Sequence, residues 1–260
     1  MSEARTVRVN EVDLSIVDTG SGLPVLVFLH YYGGSSRTWD PVMKELAETH
    51  RCVAIDFRGW GRSDKSSNDY DLETLASDVE SVVEAIGLSE YILIGHSMGG
   101  KVAQIVAARQ PNGLKGLVLV APAPPGPLEM PADEREGIVS NYCSRAGVET
   151  VIGILTSRPL TSDQREQVIE DTLASPLAAK RAWPDSGMAK DIRSRARQVV
   201  VPIRVVVGEN DIVETESALR TAFGEFYPAA DFVVIPGTGH LAPLEAPSAV
   251  VDAIRTAPIV

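Results

Sequence analysis

The chain of 260 residues is 44% hydrophobic and 23% charged, which is the composition of a globular protein and excludes a disordered or collagen-like chain. Its 24 Lys and Arg residues against 35 Asp and Glu residues give a net charge of −11, so we expect neither a nucleic-acid partner nor binding to anionic membranes. No apolar run approaches the roughly 20 residues that span a bilayer. Because the first residues, MSEARTVRVN, also lack the apolar segment of a secretory signal, we expect a cytoplasmic protein.

Short β-rich runs alternate with helical patterns along most of the chain, which predicts an α/β fold with a mostly parallel sheet. The predicted strands, in chain order, are 5–10, 12–19, 25–29, 52–56, 91–94, 117–120, 203–207 and 232–235. The predicted helices are 38–49, 71–86, the segment after Gly100, and 246–257. The helix at 71–86 is the clearest, because its apolar residues recur at 3.6-residue spacing.

This alternation stops after residue 120. Residues 121–131 are rich in proline and can continue neither a strand nor a helix, and the sequence then predicts several short helices up to residue 197. The simplest interpretation is an α/β core formed by residues 1–123 and 198–260, with a helical cap inserted at 124–197. Open α/β sheets bind ligands beyond the carboxyl ends of their strands, so we expect the insertion to cover that edge.

The segment Gly95-His96-Ser97-Met98-Gly99 fits the pattern G-x-S-x-G between a predicted strand and a predicted helix. A strand that turns directly into a helix needs space two residues on either side of the turn, which Gly95 and Gly99 provide. The helix N-terminus favours negative charge at Ser97. A solvated serine in a glycine-rich turn is the plainer reading, but the strand–turn–helix context favours a nucleophile.

A serine nucleophile needs a general base, and the chain offers four histidines. His240 directly follows the predicted strand 232–235, which brings it to the same edge of the sheet as Ser97. We expect His96 to point elsewhere on the turn. His50 precedes a strand and is expected at the surface, while His30 ends a strand and is expected to support the loop after it.

The base in turn needs a carboxylate that fixes its tautomer. Asp211 and Glu209 both follow the predicted strand 203–207. Asp211 is favoured, because it lies further into the loop and its shorter side chain holds an imidazole more tightly. The resulting chain order of nucleophile, acid and base is the α/β-hydrolase order rather than that of the two main serine-protease groups.

Several motifs together resemble the α/β-hydrolase superfamily over essentially the whole chain. They are HYYGG at 30–34, DFRGWGRS at 56–63, GHSMGG at 95–100, GEND at 208–211 and GTGHLAPLEAP at 237–247. The resemblance is to the branch of small bacterial carboxylesterases, enol-lactonases and cofactor-free haloperoxidases. It implies an eight-stranded, mostly parallel sheet with helices on both faces and a helical cap, and it implies no cofactor and no metal.

The resemblance also implies further site residues. The backbone N–H groups of Tyr32 and Met98 would form the oxyanion hole. Tyr31, which stands where relatives usually have glycine, is a candidate for the substrate pocket. Independently of the resemblance, Trp183 is a second candidate because it lies in the insertion, with packing inside the insertion as an equal alternative.

Ser97, Asp211 and His240 therefore predict a serine hydrolase that cleaves carboxylic esters of small molecules. A lactonase, a carbon–carbon bond hydrolase or a perhydrolase could use the same residues, since fold does not determine function. The GHLAPLE segment lacks the tryptophan associated with relatives that cleave carbon–carbon bonds, which disfavours that branch. A ligand receptor without catalysis is a further alternative, and the oligomeric state and substrate specificity stay open.

Overall fold

The computed structural model of the chain describes residues 4–259 and is built around one sheet of eight strands. The strands are β1 (Ala4–Val9), β2 (Val12–Thr19), β3 (Val25–Leu29), β4 (Cys52–Ile55), β5 (Tyr91–His96), β6 (Leu114–Val120), β7 (Ile203–Gly208) and β8 (Asp231–Ile235). Their order across the sheet is β1-β2-β4-β3-β5-β6-β7-β8. Strand β2 pairs antiparallel with β1 and with β4, and the remaining pairs are parallel.

The helices divide into those that follow strands of the sheet and those of a long connection. The first group is α1 (Asp40–Leu46), α2 (Leu72–Ala85), α3 (Met98–Ala108), α9 (Glu216–Phe226), α10 (Ala242–Glu245) and α11 (Pro247–Arg255). The second group lies between β6 and β7 and is α4 (Ala132–Asn141), α5 (Arg145–Leu155), α6 (Ser162–Leu173), α7 (Leu177–Ala182) and α8 (Arg193–Ala196), with a π-helical turn at Trp183–Gly187. This second group occupies the connection in which the sequence predicts the helical insertion (residues 124–197).

Apolar side chains leave the central strands in alternation and fill two cores, one on each face of the sheet. In β3, Val27 and Leu29 join the core on one face, which also contains residues of α2 and α3. Leu26 and Phe28 join the core on the other face, which contains residues of α1 and α11. The strand is therefore apolar along its whole length because both of its faces are covered.

The predicted α/β class, with a mostly parallel eight-stranded sheet and helices on both faces, is confirmed. Helix α9 is absent from the prediction, although its connection required it: parallel neighbours such as β7 and β8 need a long crossover, which is usually helical. Thr215 caps this helix by accepting a hydrogen bond from the N–H of Ala218. No helix among residues 4–259 is long and apolar enough to cross a membrane.

Candidate active site

Ser97 lies at the sharp turn from β5 into α3, in a backbone conformation that residues other than glycine rarely adopt. Its φ is +52° and its ψ is −116°. A Cβ at Gly95 would lie 2.5 Å from the carbonyl oxygen of Gly99, and a Cβ at Gly99 would lie 2.6 Å from that of Leu29. Both obstacles are backbone atoms, so only glycine fits on either side of the turn.

His240 and Asp211 are brought together at the same edge of the sheet. His240 Nδ1 lies 2.8 Å from Asp211 Oδ2, and the two side chains are 3% and 0% exposed. The other carboxylate oxygen accepts hydrogen bonds from the N–H groups of Val213 (2.8 Å) and Glu214 (3.0 Å). Because an ionised carboxylate only accepts, Nδ1 carries the imidazole proton and the Nε2 of a neutral His240 keeps its lone pair.

Glu209, the alternative acid, takes a different position. Its Oε2 accepts a hydrogen bond from the N–H of Gly237 at 2.7 Å. Gly237 belongs to the turn that leads from β8 to His240. Glu209 therefore fixes the loop that carries the histidine, whereas Asp211 contacts the imidazole itself.

His96, the residue before Ser97, makes a hydrogen bond that links the turn at Ser97 to His240. His96 Nε2 donates a hydrogen bond to the backbone oxygen of His240 at 2.8 Å, and the two ring centroids are 5.3 Å apart. Burial keeps the pKa of His96 well below its usual range, so the ring is neutral. Among residues 4–259, the hydroxyl of Ser97 makes no hydrogen bond to the protein, so Ser97 and the imidazole of His240 are not hydrogen-bonded to each other.

Sequence reasoning placed His96 away from the nucleophile but did not find its bond to His240. A histidine before the serine of G-x-S-x-G gives no local signal of its partner, because that partner lies 144 residues away in the chain.

The loop after β3 holds Tyr32 through the buried His30. The N–H of Phe57 donates to His30 Nε2 at 3.1 Å, so Nδ1 carries the proton and donates to the carbonyl oxygen of Tyr31 at 2.7 Å. In a trans peptide the N–H points opposite to the C=O. The hydrogen bond to the Tyr31 oxygen therefore also fixes the direction of the Tyr32 N–H. Within residues 4–259, neither the N–H of Tyr32 nor the N–H of Met98 has a protein acceptor.

The two candidates for the substrate pocket are both buried. The ring of Tyr31 lies 5.1 Å from that of His96 and packs with apolar residues of α5 and α6. Its hydroxyl is buried and has no partner among the described residues. Trp183 is buried at the start of the π-helical turn, where it packs on the core that also contains Tyr32 and Met98. Their contact with a substrate stays a prediction.

A buried lysine and a buried glutamate near the site were not found from sequence. Lys101 lies one turn after Ser97 on α3, and its Nζ donates to the carbonyl oxygen of Gly126 at 3.0 Å. Burial lowers the pKa of Lys101 to about 8 and raises the pKa of Glu214 to about 8, the latter with a contribution from Asp211. The signal in the sequence is weak: Lys101 and Gln104 are polar residues in a helix that is apolar over most of its length.

Residues 4–259 contain no group of three His, Cys, Asp or Glu side chains that could hold a metal ion. Two surface depressions, of about 610 and 210 Å³, meet at Arg37 and Arg62. Neither is lined by Ser97, Asp211 or His240. The described residues bring to the site a hydroxyl, an imidazole with its carboxylate, and two backbone N–H groups.

A family model described as the alpha/beta hydrolase family matches residues 26–253. The chain belongs to this family. The match includes every residue assigned above to the candidate site and confirms the resemblance drawn from the motifs. It makes the chain a member of a hydrolase family without identifying its substrate.

Relatives in this family act on different substrates. The chain is 26% identical over 250 residues to 2-(acetamidomethylene)succinate hydrolase of Mesorhizobium japonicum, covering 91% of this chain and 88% of that protein. It is 27% identical over 242 residues to pimeloyl-[acyl-carrier protein] methyl ester esterase of Nitrosomonas europaea, covering 87% and 92%. The fold is similar to that of an esterase from Exiguobacterium antarcticum, with a TM-score of 0.88, 20% identity and 98% of each chain covered.

Proposed function

We propose that the chain is a serine hydrolase that cleaves carboxylic esters of small molecules through an acyl-enzyme on Ser97. The observation that carries the proposal is the buried hydrogen bond of 2.8 Å between His240 and Asp211, at the edge of the sheet where the strained turn presents Ser97. A second support is the relative from Nitrosomonas europaea, which is named as a methyl ester esterase.

The first half of the reaction forms the acyl-enzyme. His240 Nε2 takes the proton of the Ser97 hydroxyl as the oxygen attacks the ester carbonyl. Asp211 stabilises the imidazolium that results. The backbone N–H groups of Tyr32 and Met98 bind the oxyanion of the tetrahedral intermediate. When that intermediate collapses, His240 returns the proton to the departing alcohol.

The second half releases the acid. A water molecule takes the place of the alcohol, and His240 removes its proton as it attacks the acyl group on Ser97. A second oxyanion is held by the same two donors, and the collapse of this intermediate restores the serine hydroxyl. One ester and one water give one acid and one alcohol, so the cycle needs no redox step.

The test is the turnover of p-nitrophenyl acetate and p-nitrophenyl butyrate by the purified protein and by Ser97→Ala. Since the loss of a triad residue typically lowers kcat by about 10⁴-fold or more, we expect the variant to be indistinguishable from background. Ser217→Ala, which removes an exposed hydroxyl on α9, is the matched control and should keep full activity. Equal turnover by the wild type and Ser97→Ala would rule out the proposal.

A further inference from the structure

The loop that carries Tyr32 is fastened to the helical insertion by side-chain hydrogen bonds. We name residues 30–37 the oxyanion loop. Ser35 Oγ donates to Asp171 Oδ2 at 2.7 Å and accepts the N–H of Arg37 at 3.1 Å. Arg37 Nη1 in turn lies 3.0 Å from Asp171 Oδ1. Both carboxylate oxygens of Asp171, on helix α6, therefore bind the oxyanion loop.

Further contacts bind the oxyanion loop to the same insertion. Thr172 Oγ1 donates to the carbonyl oxygen of Gly33 at 2.9 Å. The ring of Tyr142 stacks on the ring of Tyr32 with centroids 4.3 Å apart. These contacts hold the loop at Tyr32 and Gly33, at and directly after the peptide that presents the Tyr32 N–H.

Asp171 has no comparable task inside its own helix. The side-chain hydrogen bonds it makes within residues 4–259 go to the oxyanion loop, more than 130 residues away in the chain. The residue is 6% exposed, and burial raises the pKa of its carboxyl, while Ser35 and Arg37 favour the ionised form. Among the described residues, the carboxylate of Asp171 makes its hydrogen bonds to the oxyanion loop and none to helix α6. We therefore expect it to stabilise the position of the loop rather than the helix.

We propose that Asp171 is a positioning residue for the oxyanion hole: through Ser35 and Arg37 it holds the oxyanion loop so that the Tyr32 N–H faces the site. The placement of the helical insertion is thereby coupled to the stabilisation of the oxyanion. This inference rests on the proposed function, because it assigns the Tyr32 N–H a role in the same reaction.

The test compares Asp171→Asn and Ser35→Ala with Glu170→Gln, an exposed neighbour that also contacts Arg37 at 3.0 Å. Removing an oxyanion donor lowers kcat by about 10²–10³-fold, so a displaced donor should lower it by about 10-fold or more with little change in KM. The affinity for a trifluoromethyl ketone, which forms a tetrahedral adduct with serine, should fall by the same factor. Glu170→Gln should stay within about twofold of the wild type, since exposed ion pairs contribute little.

Hydrogen exchange of residues 31–38 gives a readout that needs no activity. Asp171→Asn and Ser35→Ala should exchange faster there than the wild type, and Glu170→Gln should not. Unchanged exchange, or an unchanged kcat and inhibitor affinity in an active enzyme, overturns the inference. If the wild type hydrolyses no ester, the proposed function fails, and exchange in this loop still decides whether Asp171 holds it. If Asp171→Asn does not fold, Ser35→Ala alone decides.

Discussion

At the scale of single residues, the site depends on two devices that the sequence specifies tightly. The first is the turn at Ser97, where Gly95 and Gly99 leave room for the backbone to pass. The second is the buried contact between His240 and Asp211, which leaves the outer nitrogen of the imidazole free to act as a base. A substitution would disrupt the turn and the buried contact in different ways, so we expect a different result from each.

Asp211→Asn tests the acid. An asparagine that donates its amide proton to Nδ1 would move the imidazole proton to Nε2, which removes the base. We expect kcat for p-nitrophenyl butyrate to fall by about 10⁴-fold while the circular dichroism spectrum stays unchanged. Glu209→Gln, the neighbouring acid that bonds Gly237 instead, is the control and should keep most of the activity. Similar losses in the two variants would contradict the assignment of Asp211.

Gly99→Ala tests the turn. Its Cβ would lie 2.6 Å from the backbone oxygens of Leu29 and His30, which cannot move without disturbing β3. We expect a loss of activity and a lower midpoint of urea unfolding. Gly137→Ala, in the exposed part of α4 with nothing within 4 Å, should instead raise stability by about 0.4–1 kcal/mol. A neutral Gly99→Ala would show that the turn tolerates a side chain.

At the scale of elements, the helical insertion contacts two of the loops that carry site residues, those of Tyr32 and His240. Helix α6 binds the oxyanion loop. The end of α5 binds the loop that carries His240, since the carbonyl oxygen of Leu155 accepts the N–H of His240 at 2.8 Å. Glu245 on α10 joins the same region: its Oε2 accepts the N–H groups of Ser157 (2.8 Å), Arg158 (2.8 Å) and Gly239 (3.0 Å). One carboxylate oxygen thus ties the insertion to the histidine loop.

Glu245→Ala tests this tie. The change leaves three N–H groups without their acceptor, and we expect a loss of about 1–3 kcal/mol in the free energy of unfolding together with a lower kcat. Glu216→Ala on α9, which breaks an exposed pair with Arg220, is the control and should change stability by less than about 1 kcal/mol. Urea titration of both variants measures the difference. Equal effects would mean that Glu245 acts as an ordinary surface carboxylate.

The elements also show where sequence reasoning stops. The turn at Ser97 and the loop of His240 were predictable, because glycine spacing and the position after a strand are local signals. Helix α9 was missed even though Leu219, Ala222, Phe223 and Phe226 recur at helical spacing and the parallel pairing of β7 with β8 demands a crossover. The partners of His96 and Asp171 lie more than 130 residues away in the chain. Such contacts form only when the chain folds, so no local sequence pattern predicts them.

At the scale of the whole molecule, we expect the buried Glu214 to make the stability of the fold depend on pH. Its pKa is raised from 4.5 to about 8, mainly by burial and further by Asp211, with Lys101 opposing the shift. Between these two values the folded chain holds a proton at Glu214 that the unfolded chain has lost. The contribution of this group is therefore fully present below pH 4.5 and is lost as the pH rises towards about 8.

Glu214→Gln removes this titration and keeps a neutral side chain of similar size. We expect the stability of the wild type to fall relative to that of the variant as the pH is raised from about 5 to about 8. Urea unfolding of both proteins across this range gives the difference in free energy directly. A difference that does not change with pH would show that Glu214 ionises as an ordinary surface carboxylate.

In the proposed reaction, Ser97 forms a covalent acyl-enzyme with His240 as its base. The most direct measurement is mass spectrometry of the protein quenched in acid during its first turnover of p-nitrophenyl acetate, with the acetyl group located by peptide mapping. We expect one acetyl group, on the peptide that contains Ser97, and none in Ser97→Ala. Ester turnover without an acetyl group on Ser97, or with one on another residue, would contradict it.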